Sequence, residues 1–136
     1  MEPKTYTIHH LVKSEDLNHH GTLYAGRNAE WFVEAGFVAA ASLTHPKNIV
    51  CLKIHGLEFT RPVRPGDLAR FESKIVLTGK TRIVAYITMS VNDQLVVRGF
   101  ITFINVDENG RPLPHNVTIT PVTEEDVALN QQALSL

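Results

Sequence analysis

The spacing of apolar and polar positions changes character along the chain, and each change marks an element. Residues 4 to 12 alternate loosely, with Tyr6, Thr7, Ile8 and Val12 supplying strand-favouring side chains, which predicts a first strand. A polar stretch follows and ends in Asn18-His19-His20-Gly21. From about Tyr24 to Leu43 the chain has no proline and is rich in alanine and glycine, which predicts one long helix. His45-Pro46 closes it, because proline disfavours a helical residue before it and cannot continue the turn. Residues 49–59, 68–77, 81–91 and 95–106 are then four strand candidates rich in Val, Ile, Phe and Thr. Turn signals divide them: Arg61-Pro62-Val63-Arg64-Pro65-Gly66-Asp67, Thr78-Gly79-Lys80 and Asn92-Asp93. Asp107-Glu108-Asn109-Gly110 turns the chain into a proline-containing tail, and Thr123 is placed to cap a short final helix. One strand, one long helix and four long strands make an α+β protein, since βαβ alternation is absent.

On a helical wheel of about 100° per residue, Ala29, Phe32, Val33, Gly36, Ala40 and Leu43 share a broad apolar face. Arg27, Glu30 and Glu34 form a narrow stripe opposite. Beyond Glu34 every residue to Leu43 is small or apolar except Ser42, and a helix apolar all round is buried all round. Glu34 is thus the last charge before a segment expected to be buried. Burial there would desolvate its carboxylate, a usual preparation for general-base work. The plainer alternative is that Glu34 ends a solvated stripe, paired with Arg27 or a nearby lysine.

Composition narrows the classes only mildly. The chain has 136 residues, 43% hydrophobic and 20% charged, with a net charge of −1. That length supports one hydrophobic core, so residues 1–136 read as a single domain with a tail from about 107. The charge balance gives no reason to expect nucleic acid or an anionic membrane as a partner. One cysteine, Cys51, excludes an intramolecular disulfide and favours a reducing compartment. Residues 1–10 lack the apolar run of a signal peptide, and no stretch approaches a membrane span, so a cytoplasmic location is expected.

Asn18-His19-His20-Gly21-Thr22-Leu23-Tyr24-Ala25-Gly26, followed by Trp31-Phe32-Val33-Glu34-Ala35, resembles the signature of hotdog-fold thioesterases. Phe59-Thr60-Arg61-Pro62-Val63-Arg64-Pro65-Gly66-Asp67 resembles the same family's segment after the central helix, and the likeness covers roughly residues 5 to 110. It implies a central helix wrapped by a five-stranded antiparallel sheet. It also implies a homodimer, or a dimer-based higher oligomer, with sheets joined edge to edge and the site at the dimer interface. Similar acyl-CoA thioesterases carry an Asn or Asp at the position of Asn18, which orients water or polarises the thioester. They commonly carry a second carboxylate seven residues after a Gly-Gly pair; here the pair is Ala25-Gly26 and the seventh residue is Val33. Glu34, next to it, matches the glutamate that acyl-carrier-protein thioesterases place after a Trp and two apolar residues.

The implied activity is hydrolysis of acyl thioesters, with acyl-CoA as the preferred partner, acyl carrier protein as a variant, and no cofactor beyond the CoA of the substrate. Glu34 is the expected base and Asn18 its partner. The backbone N–H groups of Ala25 and Gly26 open the helix, where unsatisfied donors favour negative charge, and are the expected oxyanion hole. His20 is either part of a polar loop or a donor in the thioester pocket. His19 and His20 lack a third ligand at metal spacing, so no metal is expected. Arg61, Arg64, Lys80 and Arg82 lie near turns where similar proteins bind the nucleotide end of CoA, and arginine suits phosphate; a solvated basic rim is the alternative. Cys51 reads as core rather than nucleophile. A non-catalytic acyl-CoA-binding protein and an enoyl-thioester hydratase or dehydratase, using His20 and Glu34 across the dimer, are the competing functions.

Overall fold

Two hydrophobic periods decide how the chain folds, and both are visible in the computed structural model, which describes residues 1–136. Five strands form one sheet: β1 (Tyr6–Leu11), β2 (Ile49–Ile54), β3 (Leu68–Thr78), β4 (Arg82–Val91) and β5 (Gln94–Asn105). Their order is β1-β3-β4-β5-β2, and every neighbouring pair is antiparallel. β3, β4 and β5 form the expected meander. Asn92 and Asp93, both at positive φ (51° and 62°), make the two-residue hairpin turn between β4 and β5. The edges are therefore β1 and β2, the strands on either side of the long helix in sequence.

That helix, α1 (Ala25–Ala41), lies across the inner face of the sheet, and its small residues set the distance. A Cβ added at Gly36 would stand 3.1 Å from Ile87 Cδ1 and 3.2 Å from Ile101 Cδ1, so helix and sheet meet almost backbone to side-chain tip. Trp31, Phe32, Ala35, Gly36, Ala39 and Ala40 are buried there, against Phe71, Ile83, Ile87, Met89, Ile101 and Phe103. A sheet curved around one helix is the hotdog arrangement expected from the resemblance.

Three details depart from the sequence reading. The buried face of α1 is centred on Phe32, Ala35 and Ala39, with Ala29 and Val33 only partly covered. Burial is also incomplete beyond Glu34: Val38 is 37% exposed, because the sheet covers α1 from one side only. Finally, β2 ends at Ile54 rather than Phe59. Residues 55–60 still run beside β5, with His55 N–H donating to Phe100 O and Thr60 N–H to Val96 O. Gly56 at φ +89° breaks the regular strand, and its carbonyl passes so close to Gly99 that a Cβ there would lie 3.0 Å from it.

The last helix, α2 (Glu124–Leu134), forms where expected, with Thr123 Oγ1 accepting from Asp126 N–H at 3.1 Å. Leu129 and Ala133 cover Val76, Leu77 and Val84 on the outer face of the sheet, and Lys74 pairs with Glu125 and Asp126. Burial alone would lower the Lys74 ammonium, but the hydrogen bond and charge of Asp126, with Glu125 behind it, raise it above its ordinary value. No helix is long and apolar enough to cross a membrane.

Candidate active site

The loop before α1 is closed by one side chain. Asn18 Oδ1 accepts from His20 N–H at 2.8 Å and from Thr22 N–H at 3.2 Å, while Asn18 Nδ2 donates to Thr22 Oγ1 at 3.2 Å. The backbone reinforces this turn, with Asn18 N–H donating to Thr22 O and Gly21 N–H, at φ +76°, donating to Asn18 O. Asparagine suits the place because its amide both donates and accepts, mimicking a backbone turn. One hydrogen of Nδ2 remains free to face outward.

The helix that follows starts without a side-chain cap. Tyr24 occupies the N-cap position, and the N–H groups of Arg27 and Asn28 both donate to its carbonyl. The N–H groups of Ala25 and Gly26 donate to no protein acceptor. Two donors at the positive end of the helix dipole are thus open to a ligand. Ala25 lines a cleft of about 310 Å³ together with Asn18, Thr22, Asn28, Thr60 and Arg61, with Leu23, Phe59, Pro62 and Val63 as its apolar wall. Gly26 stands beside the cleft under the Tyr24 ring, where a Cβ would come within 2.5 Å of Tyr24 Cε2. The structure therefore brings Asn18 and Ala25 together, as expected, and adds Asn28, which the helical wheel did not single out.

No carboxylate lines this cleft. Glu34 lies on the β1 side of α1, where its Oε1 is 3.2 Å from His10 Nε2. The His10 ring stacks flat on Trp31 at 4.3 Å between centroids. The Glu34 side chain is 55% exposed, so the burial expected to prepare it as a base is not found. The reason is local: Phe32, Ala35 and Ala39 lie on the helix side facing the sheet, whereas Glu34 shares the exposed side with Val38, one turn on. Its partner is not Arg27 either, since Arg27 pairs with the buried Asp16. Val33, the residue before Glu34, is half-buried and apolar.

The remaining expected residues separate. His20 is exposed, its ring tilted at 42° against that of His19, and contributes its backbone N–H rather than its ring to the Asn18 turn. Within one chain Glu34, on His10, and His20, in the exposed loop, stand apart; the acid–histidine pair of a dehydratase would be drawn from two chains. Arg61 reaches the cleft, with its guanidinium held by Gln94 Oε1 at 2.8 Å and Leu95 O at 3.3 Å. Arg64 sits on the neighbouring turn, where its N–H donates to Asp67 Oδ2. Lys80 and Arg82 lie on the β3–β4 turn, at the opposite end of the strands. The four basic residues are thus two pairs a strand-length apart, not one cluster. Cys51, expected in the core, is exposed on β2. Desolvation of its sulfur pushes the thiol up, opposite to what a nucleophile needs.

The sequence profile of the thioesterase superfamily matches residues 20–98, the stretch that holds the Asn18 turn's second half, α1, β2, β3, β4 and the start of β5. The chain belongs to the thioesterase superfamily. A curated relative, an uncharacterised acyl-CoA thioester hydrolase (YkhA) of Bacillus subtilis strain 168, is 25% identical over 125 residues, covering 88% of this chain and 72% of its own. Among solved structures, an apo hexameric acyl-CoA thioesterase superposes with a TM-score of 0.88 at 26% identity, over 96% of this chain and 86% of that one. An acyl-CoA hydrolase of Bacillus cereus gives 0.85 at 23% identity, over 96% and 82%, and shows the shared fold.

Proposed function

We propose that this thioesterase-superfamily chain hydrolyses acyl-CoA thioesters to a free acid and CoA, in the cleft where α1 begins. One observation carries the reading: the unpaired N–H groups of Ala25 and Gly26 at an uncapped helix start, beside the amide of Asn18. A thioester carbonyl needs donors where its oxygen becomes negative, and a fixed pair at the helix start, Ala25 in the cleft wall and Gly26 beside it, supplies them without reorganisation. Asn18, held by its own turn, keeps one Nδ2 hydrogen for the attacking water or the carbonyl. The leaving group is a thiolate, a much weaker base than an alkoxide or amide ion, so it departs at neutral pH without a protein acid. The kinship with acyl-CoA thioester hydrolases supports CoA, rather than carrier protein, as the carrier.

The working unit in this reading is a pair of copies joined through β2. Val50, Leu52 and Ile54 expose 45%, 63% and 40% of their surface on this edge strand, a pattern that invites pairing with a second strand. A two-fold axis through β2 reverses the second sheet. That places Lys80 and Arg82 of the partner subunit at the same end of the joined sheet as the cleft, with Arg61 and Arg64 of the first chain. The separated basic pairs then serve one nucleotide end.

The deciding experiment is thiol release from short, medium, long and aromatic acyl-CoAs. Catalytic release from at least one class is expected, well beyond the single equivalent that Cys51 contributes. Absence of turnover with all classes would overturn the reading.

A further inference from the structure

Asn28 is a polar residue where an apolar one would be easier to hold. It lies one turn into α1, is only 3% exposed, and its Oδ1 is closed off with no hydrogen-bond partner. Asparagine is also a poor helix former. A leucine would fill the same space with neither penalty. A buried amide left half-paired in this way asks for a reason other than packing. Its other end supplies one: Nδ2 donates to no protein group and is not closed off, and the residue lines the cleft with Asn18, Ala25 and Thr60. The backbone explains the aim. Side chains on a helix lean toward its N-terminus, so residue 28 projects over the turn that carries the free N–H groups of Ala25 and Gly26.

We propose that Asn28 is a catalytic residue whose Nδ2–H donates to the acyl carbonyl oxygen of the bound thioester, completing the donor set begun by the Ala25 N–H. This rests on the hydrolytic reading above. Water oxygen adds to the carbonyl carbon, and the C=O π pair moves onto oxygen, where Asn28 and the helix start hold the negative charge. The pair then returns, the C–S bond breaks, and sulfur leaves as thiolate. Of the two protons of the water, one ends on the thiol and one in solvent as the acid ionises. The neutral amide takes no part in proton transfer and acts only by donating.

The test compares Asn28→Leu and Asn28→Asp with the wild-type chain. Removing one such donor from an oxyanion site costs about 10²–10³ in kcat. Asn28→Leu is expected to lose kcat on that scale with KM little changed and with a melting temperature equal to or above wild type. Asn28→Asp, acceptor-only at neutral pH, is expected to be slower still and to recover as acidification protonates it. A second readout is independent of turnover: a butyryl-CoA ketone analogue, with methylene in place of sulfur and ¹³C at the carbonyl, followed by NMR. The bound carbonyl resonance should lie further downfield in wild type than in Asn28→Leu. Wild-type kcat in Asn28→Leu, an identical carbonyl shift in both proteins, or no binding of the analogue would each overturn the proposal. A chain that hydrolyses acyl-CoA without an Asn28-dependent shift keeps the hydrolytic reading and loses this contact. An Asn28-dependent shift in a chain that turns over no thioester overturns the hydrolytic reading and with it the catalytic role, leaving Asn28 a carbonyl-binding contact only. Should Asn28→Leu fail to fold, the near-isosteric Asn28→Asp carries the same comparison.

Discussion

Glu34 and His10 form a hydrogen-bonded pair, Oε1 to Nε2 at 3.2 Å, that joins α1 to the edge strand β1. Neither residue of the pair lines the cleft at the helix start. Its work is to hold β1 against α1, with the imidazole sandwiched onto Trp31 and edge-on to Phe71. A solvent-exposed side-chain pair of this kind contributes about 0–1 kcal/mol. Glu34→Gln is therefore expected to change kcat by less than about fivefold, well short of the loss that removing a general base causes. Steady-state thiol release measures it, and a hundredfold fall would restore Glu34 to the chemistry.

Asn18 carries the opposite expectation. Its side chain makes the contacts that close the loop from Asn18 to Thr22, and the same loop forms one wall of the cleft. Asn18→Ala removes those hydrogen bonds, at about 0.5–1.5 kcal/mol each when a partner can turn to water. It also removes the free amide hydrogen beside the helix start. A loss in kcat/KM of at least about tenfold is expected, equivalent to about 1.4 kcal/mol of transition-state stabilisation. Thr22→Val, which keeps Asn18 and its bond from the His20 N–H, should lose less. Equal losses in both variants would mean that loop order, not the amide, is what matters.

Much of this architecture was legible beforehand, and what was not has a common cause. The β3–β4–β5 meander announced itself through strand-favouring runs cut by Thr78-Gly79-Lys80 and Asn92-Asp93, and the α2 cap through Thr123. These are local signals. The misjudged residues depend on which side of an element is covered by something distant in sequence. A helical wheel shows that Phe32 and Gly36 face the core, but only the position of β1, through His10 on Trp31, shows that the buried arc extends to Trp31. For the same reason Glu34 comes out exposed although small apolar residues follow it. Cys51 sits in a run that reads as a core strand, and topology alone puts that strand on the edge. Asn28 left no signal at all, since a single asparagine on an apolar arc is indistinguishable from a solvated one until the arc is placed.

The edge itself is testable through Leu52. It is the most exposed apolar residue of β2, at 63%, and a charge on an edge strand opposes pairing with another strand. Leu52→Lys is expected to shift the protein from dimers or larger assemblies toward monomer in sedimentation. Activity should fall with it, because in the proposed pair the basic residues at the β3–β4 turn come to the cleft from the second copy. Cys51, next in the same strand, gives an independent readout. Its alkylation should be slow in the assembled protein and faster in Leu52→Lys. A variant that stays assembled, with Cys51 equally protected, would place the interface elsewhere.

The pH dependence of stability should run through His55. Its ring bonds Thr102 Oγ1 at 2.7 Å, and Thr102 is 7% exposed on the outer face of β5. Burial first, and the positive charge of Lys53 second, hold the imidazole below its ordinary pKa of 6.5. The folded chain thus prefers neutral His55, while the unfolded chain takes up a proton near the ordinary value. As pH falls, the unfolded state binds that proton first, so the stability linked to His55 is complete above about pH 6.5 and is lost as pH drops through the lower folded value. The hydrogen bond to Thr102 survives protonation, since a charged ring still donates; what grows is the cost of charge beside Lys53 in a partly dry site. Melting temperatures of the wild type should therefore fall between pH 7.5 and pH 5 by more than those of His55→Gln, which keeps a donor for Thr102 but does not titrate. Six other histidines contribute equally to both proteins, so the difference between the two curves isolates His55. Parallel curves would remove it as the source.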